Sequence, residues 1–252
     1  MKRLAALLLL GALLFGAVPS AAAQQASPLG GNIRLDVKGG GGDQSYSMPI
    51  QVLLFLTVMT FIPAVLISLT SFTRIIIVFH FLRQALGTNE TPSNQIIIGL
   101  TLFLTLFIMT PVGEQINRDA LGPMMDGKIS QTEALGRAVT PLRGFMMKYT
   151  REKDLALFLA IAKRPRPRVA DDVPTTVLIP AFMISELKTS FQIGFVLFLP
   201  FLVIDMVVAT VLLSMGMMQL PPVMVSIPFK ILLFIMVDGW NLVVGSLVKS
   251  FY

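Results

Sequence analysis

The sequence predicts an all-α, membrane-associated protein: two long apolar helical hairpins flanking a small helical insert. Three observations carry that expectation. The 252 residues are 54% hydrophobic and only 13% charged, with a mean hydropathy of +0.77, outside the range of an ordinary soluble domain. No charge occurs from Gln44 to Thr73 or from Thr91 to Gly113, and each stretch reaches the roughly 20 residues that span hydrocarbon. Most of the charge falls instead between Glu114 and Ser190, which holds 12 basic and 9 acidic residues. There are no cysteines and one histidine, which excludes disulfides and thiolate clusters and leaves little basis for an imidazole metal site. We expect no cofactor.

Residues 1–23 open with Lys2 and Arg3, continue with an apolar run from Leu4 to Val18, and end in Ala21-Ala22-Ala23 after Pro19. That order is a cleavable signal peptide cut after Ala23, which leaves the mature N-terminus on the extracytoplasmic side. Loss of two cations lowers the formal +6 to roughly +4, and no nucleic-acid partner is expected. Residues 24–47 include Gly39 to Gly42 in succession and form a flexible leader too poor in apolar surface to order itself.

The first hairpin is placed at 48–113. Its turn, Leu86 to Asn94, contains Gly87 and Pro92 as breakers and Ser93 or Asn94 as helix N-caps. Arg74, His80 and Arg83 close its first helix, where cations suit the negative end of the helix dipole. The insert is placed at 114–190, facing water on the extracytoplasmic side. Within it Asp126-Gly127 predicts a turn, Ser130 to Glu133 a capping box, Thr140-Pro141 a helix start, and Thr150 a further cap, for three short helices. Lys163 to Arg168 reads as an extended, proline-stiffened, solvated loop. A basic insert outside opposes the positive-inside tendency, but inserts of more than about 60 residues cross largely regardless of charge. Pro63, Pro111 and Pro200 each disrupt a helical bond, so these helices are expected to prefer protein neighbours.

The second hairpin is placed at 191–252. Asp205 and Lys230 lie deep in its apolar arms, where an isolated charge costs several kcal/mol. The midpoint between them falls between Met217 and Met218, inside Met215-Gly216-Met217-Met218-Gln219-Leu220-Pro221-Pro222. Folding back there sets both at the same height, roughly 18 Å from the tip at about 1.5 Å per residue. An Asp205–Lys230 salt bridge, within or between subunits, is the consequence; Asp238 is a weaker candidate partner. The alternative role for Asp205 is a proton-relay carboxylate in a proton-coupled small-solute transporter. Trp240 is expected at an interface. The methionines suit a soft, yielding packing surface. No P-loop, HExxH or GxSxG pattern is present, so the chain is not expected to be an enzyme.

Several longer motifs occur in order: Arg83-Gln84-Ala85-Leu86-Gly87-Thr88, Thr91-Pro92-Ser93-Asn94-Gln95, Pro180 to Lys188, Pro200 to Asp205, Met215 to Met218, Pro228-Phe229-Lys230 and Val237-Asp238-Gly239-Trp240. Together they resemble the FliP family of flagellar export-gate subunits, related to the SctR components of virulence secretion systems, over residues 48–252. The signal peptide favours the flagellar branch. The resemblance implies a homo-oligomer, a pentamer in the family, joined by FliQ and FliR and held by other export-apparatus and basal-body proteins. It implies a location at the bacterial inner membrane, in contact with lipid, projecting toward the periplasm, and unfolded flagellar subunits as cargo. It also implies that Met215, Met217 and Met218 belong to a channel-closing loop and that Glu186, Asp205 and Lys230 are assembly contacts.

Overall fold

The computed structural model describes residues 48–88, 90–165, 172–217 and 219–252. The expected signal peptide and leader, the end of the basic loop, and Met218 lie outside the described residues. The described elements are helical: α1 (Met48–Leu69), α2 (Phe72–Leu86), α3 (Asn94–Ile116), a π turn (Asn117–Leu121), α4 (Gly122–Met125), α5 (Gln131–Tyr149), α6 (Glu152–Ile161), α7 (Thr175–Ser214), α8 (Pro222–Met236) and α9 (Gly239–Lys249). The chain divides after Phe55, and only the start of α1 is described ahead of that point. The packing below concerns residues 56–252.

At the centre, α2 lies against α7. Ile75, Val78, Phe79, Leu82 and Ala85 of α2 are buried at the three- and four-residue spacing of one helix face. They meet a core that includes Leu178, Phe182 and Phe201 of α7, Ile97 and Ile108 of α3, and Val243 and Leu247 of α9. One contact sets the spacing of the central pair. A Cβ added at Gly194 would stand 2.4 Å from the Phe81 ring, so the α7 backbone approaches α2 only because residue 194 has no side chain.

The long apolar stretch ahead of Arg83 is two helices rather than one, bent by 71° between Leu69 and Phe72. The cause is local. Thr70 Oγ1 accepts from the Phe72 amide and Thr73 Oγ1 donates to the Ile67 carbonyl, side-chain bonds that compete with the helical ladder. Arg74 therefore sits near the start of α2, not at a helix C-terminus, and its expected capping role is replaced by a buried one. The turn from Leu86 to Asn94 forms as expected. Gly87 takes φ 74° and its amide bonds to the Gln84 carbonyl, while Ser93 occupies the N-cap geometry of α3.

The insert departs from expectation at two caps. Ser130 does cap α5, accepting from the Glu133 amide at 3.2 Å, and Gly127 makes its turn with φ 70°. Pro141, however, lies inside α5, because that helix is already running when it reaches Thr140-Pro141. Thr150 ends α5 instead of starting α6, its hydroxyl donating back to the Met146 carbonyl at 2.7 Å. After Pro222 the chain again forms two helices where one was expected, bent by 65°. Asp238 adopts φ 51°, a left-handed conformation that Asp tolerates. A Cβ at Gly239 would lie 2.2 Å from the Phe234 ring.

Helices α7 (40 residues) and the continuous run Asn94–Met125 (32 residues) are long and apolar enough to cross a membrane, and the two bent pairs are further candidates. Only 11% of the most apolar window of α7 is buried within the chain.

Candidate functional site

The α7–α8 hairpin carries the residues singled out in the sequence. Ser226 and Lys230 are one turn apart on α8, so both face the same point of α7. That point is Asp205. Lys230 Nζ donates to Asp205 Oδ2 at 2.6 Å and Ser226 Oγ donates to Asp205 Oδ1 at 2.5 Å. The Lys230 side chain is 3% exposed and that of Asp205 26%. The ion pair expected from the hairpin symmetry is thus formed within one chain, and Asp238 takes no part in it; its carboxylate accepts from Asn241.

Beyond this pair, α7 ends in a Schellman arrangement: the Gly216 amide bonds to the Leu213 carbonyl and the Met217 amide to that of Leu212. Gly216 supplies the required positive φ of 72°. The same geometry turns the flanking methionines away from the helix pair, leaving Met215 66% and Met217 40% exposed. Pro222 begins α8, a position where a missing amide proton costs no helical bond. A polarizable thioether tip is therefore held out at the end of a hairpin pinned by an ion pair.

Glu186 has a different partner. Arg74 Nε donates to its Oε2 at 2.8 Å and Nη2 to its Oε1 at 2.5 Å, with side-chain exposures of 3% and 0%. The remaining Arg74 nitrogen, Nη1, donates to the carbonyl and hydroxyl of Ser250. The guanidinium carbon stands 3.8 Å from the centre of the Phe251 ring, in turn edge-on to Tyr149; the Tyr149 hydroxyl donates to the Phe251 carbonyl. This fork joins α2, α5, α7 and the segment after α9. Sequence reasoning missed it, although Arg74 is the one Asp, Glu, Lys or Arg in the 39 residues from Gln44 to Leu82, a signal that a buried counter-charge was needed.

Next along α7, Ser185 donates to the buried Asp154 at 2.8 Å and accepts from the Arg151 amide, while the Arg151 guanidinium donates to Thr189 and Gln192. These bonds dock the start of α6 on α7. Trp240 packs on Phe234 and Phe79 while keeping an exposed edge. Among the described residues no cluster of His, Asp and Glu has the arrangement of a metal site. His80, the single histidine, faces Arg83 rather than a nucleophile.

The sequence matches the model of the FliP family over residues 47–247. It is 57% identical over 208 residues to the flagellar biosynthetic protein FliP of Bacillus subtilis (strain 168), covering 82% of this chain and 94% of that protein. The FliP of Pectobacterium carotovorum subsp. carotovorum is 53% identical over 211 residues, 84% of this chain and 82% of its own. That of Caulobacter vibrioides is 44% identical over 251 residues, which span this chain and 92% of the relative. With the family match running from before α1 into α9 and these identities over most of each chain, the protein belongs to the FliP family and is a flagellar export component.

Proposed function

We propose that the chain is a core subunit of the flagellar export gate. It oligomerises, as a pentamer, with FliQ and FliR at the inner membrane, projects toward the periplasm, and lines a channel through which unfolded flagellar subunits pass. The observation that carries this reading is the hairpin: an exposed methionine tip held at the end of two apolar arms whose charges are internally neutralised. Methionine side chains are flexible enough to pack against one another around an axis and to yield to an arriving chain. Closure is steric, and this subunit supplies no bond-making step. The apolar surfaces of α3 and α7 leave Phe103, Phe107, Phe195 and Met206 each more than half exposed, and extended apolar patches mark protein or membrane contacts. They suit neighbouring subunits and lipid.

The test is secretion. Deletion of the gene abolishes delivery of rod and hook proteins to the periplasm and medium while their cytoplasmic levels persist, and the wild-type gene restores it. Normal export without the gene overturns the assignment. For the closure, replacing Met215, Met217 and Met218 together by Ala is expected to raise ion leakage through the assembled complex; unchanged conductance removes the methionines from that role.

A further inference from the structure

Ser226 is fully buried, and its hydroxyl has one proton but two acceptors. Asp205 Oδ1 lies at 2.5 Å and the Val223 carbonyl at 2.9 Å. The first bond ties α8 to α7, whereas the second stays within α8. A hydroxyl turning from one to the other never becomes an unsatisfied buried donor, so letting go of Asp205 avoids the penalty that normally holds buried polar groups in place. On the other side, Asp205 keeps the Lys230 ammonium on its second oxygen, so the carboxylate stays charge-paired when the serine bond is lost. Lys230, 2% exposed, has Asp205 as its ion-pair partner, and parting from it would leave a buried charge uncompensated.

The two contacts are not equivalent in position. Ser226 lies one turn nearer the methionine tip than Lys230. We infer that Ser226 is a positioning residue that acts as a releasable latch on the Met hairpin: with its proton on Asp205 it holds the tip-proximal turn of α8 against α7, and with its proton on Val223 it lets that turn swing about the Lys230–Asp205 pivot. The leak readout below rests on the reading of the tip as a channel closure; the distance readout does not.

The chain contains no cysteine, so a pair introduced as Leu213→Cys and Met224→Cys on the two arms can be spin-labelled without background from the chain itself, the label being attached before assembly. The assembled complex, diluted with unlabelled subunits, is measured with and without Ser226→Ala. Loss of the latch broadens the 213–224 distance distribution and raises resting ion conductance on the order of fivefold, the shift in a two-state balance given by one hydrogen bond. Ser226→Thr, which keeps the hydroxyl, restores both. A distance distribution unchanged by Ser226→Ala overturns the latch. A broadened distribution with unchanged conductance leaves the latch standing and removes the channel-closure reading. If Ser226→Ala does not assemble, Ser226→Thr against Ser226→Val, alike in shape and different in the hydroxyl, repeats the comparison.

Discussion

Arg74 and Glu186 illustrate what a single residue does in so apolar a chain. Each is almost wholly out of water, so neither is stable there as a lone charge. What makes the pair tolerable is that both carboxylate oxygens and all three guanidinium nitrogens have partners, with the Phe251 ring beneath the cation. Removing one member should therefore cost more than the pair contributes. Arg74→Met or Glu186→Leu alone is expected to lower stability by roughly 3–5 kcal/mol, whereas the double substitution costs clearly less than their sum. Thermal unfolding of the detergent-solubilised protein checks this double-mutant cycle, and strict additivity would show the two to be energetically independent. The need for a partner could be inferred from Arg74 in the sequence. Its identity could not, since 112 positions separate the two.

Among elements, α2 and α7 show how backbone proximity depends on one missing side chain. The Phe81 ring occupies the space that a Cβ on residue 194 would take. Gly194→Val is expected to force the two helices apart and to destabilise the protein by roughly 1–3 kcal/mol, an overpacking cost. Pairing it with Phe81→Ala should recover part of that loss in the same unfolding measurement; a Gly194→Val protein as stable as wild type would mean that the ring moves freely. Helix ends were legible where a local signal acts alone. Gly87, Ser130 and Gly216 terminate or start helices by their own conformational preferences. The bends at Thr70-Ser71 and at Asp238 were not anticipated, because a short polar interruption such as Thr70-Ser71 or Asp238-Gly239 is also compatible with an unbroken helix, and only the side-chain bonds and the left-handed Asp238 show that the helical ladder stops there.

For the whole molecule, the Asp205–Lys230 pair separates the two functional readings. If the pair is structural, Asp205→Asn leaves the nearly buried Lys230 ammonium without its counter-charge, and the yield of assembled complex should fall sharply. An intact complex that no longer moves a small solute would instead favour proton-coupled transport. Quantifying the complex after affinity purification, alongside secretion, decides between them. The hairpin that holds this pair was readable in one dimension: two charges equidistant from a Met-Gly-Met turn meet when the arms fold back, whatever else the chain does. Ser226 was not singled out, since a serine in an apolar helix ordinarily bonds its own backbone and only the arrival of α7 gives it a second acceptor. The sequence by itself determined the helical class, the apolar arms, the turns and the height at which Asp205 and Lys230 meet, because these follow from composition, local propensity and helical rise. Tertiary structure alone decided that Glu186 pairs with Arg74, that Phe81 fits over Gly194 and that Ser226 shares Asp205, because each depends on which helix faces are brought together across many residues of intervening chain.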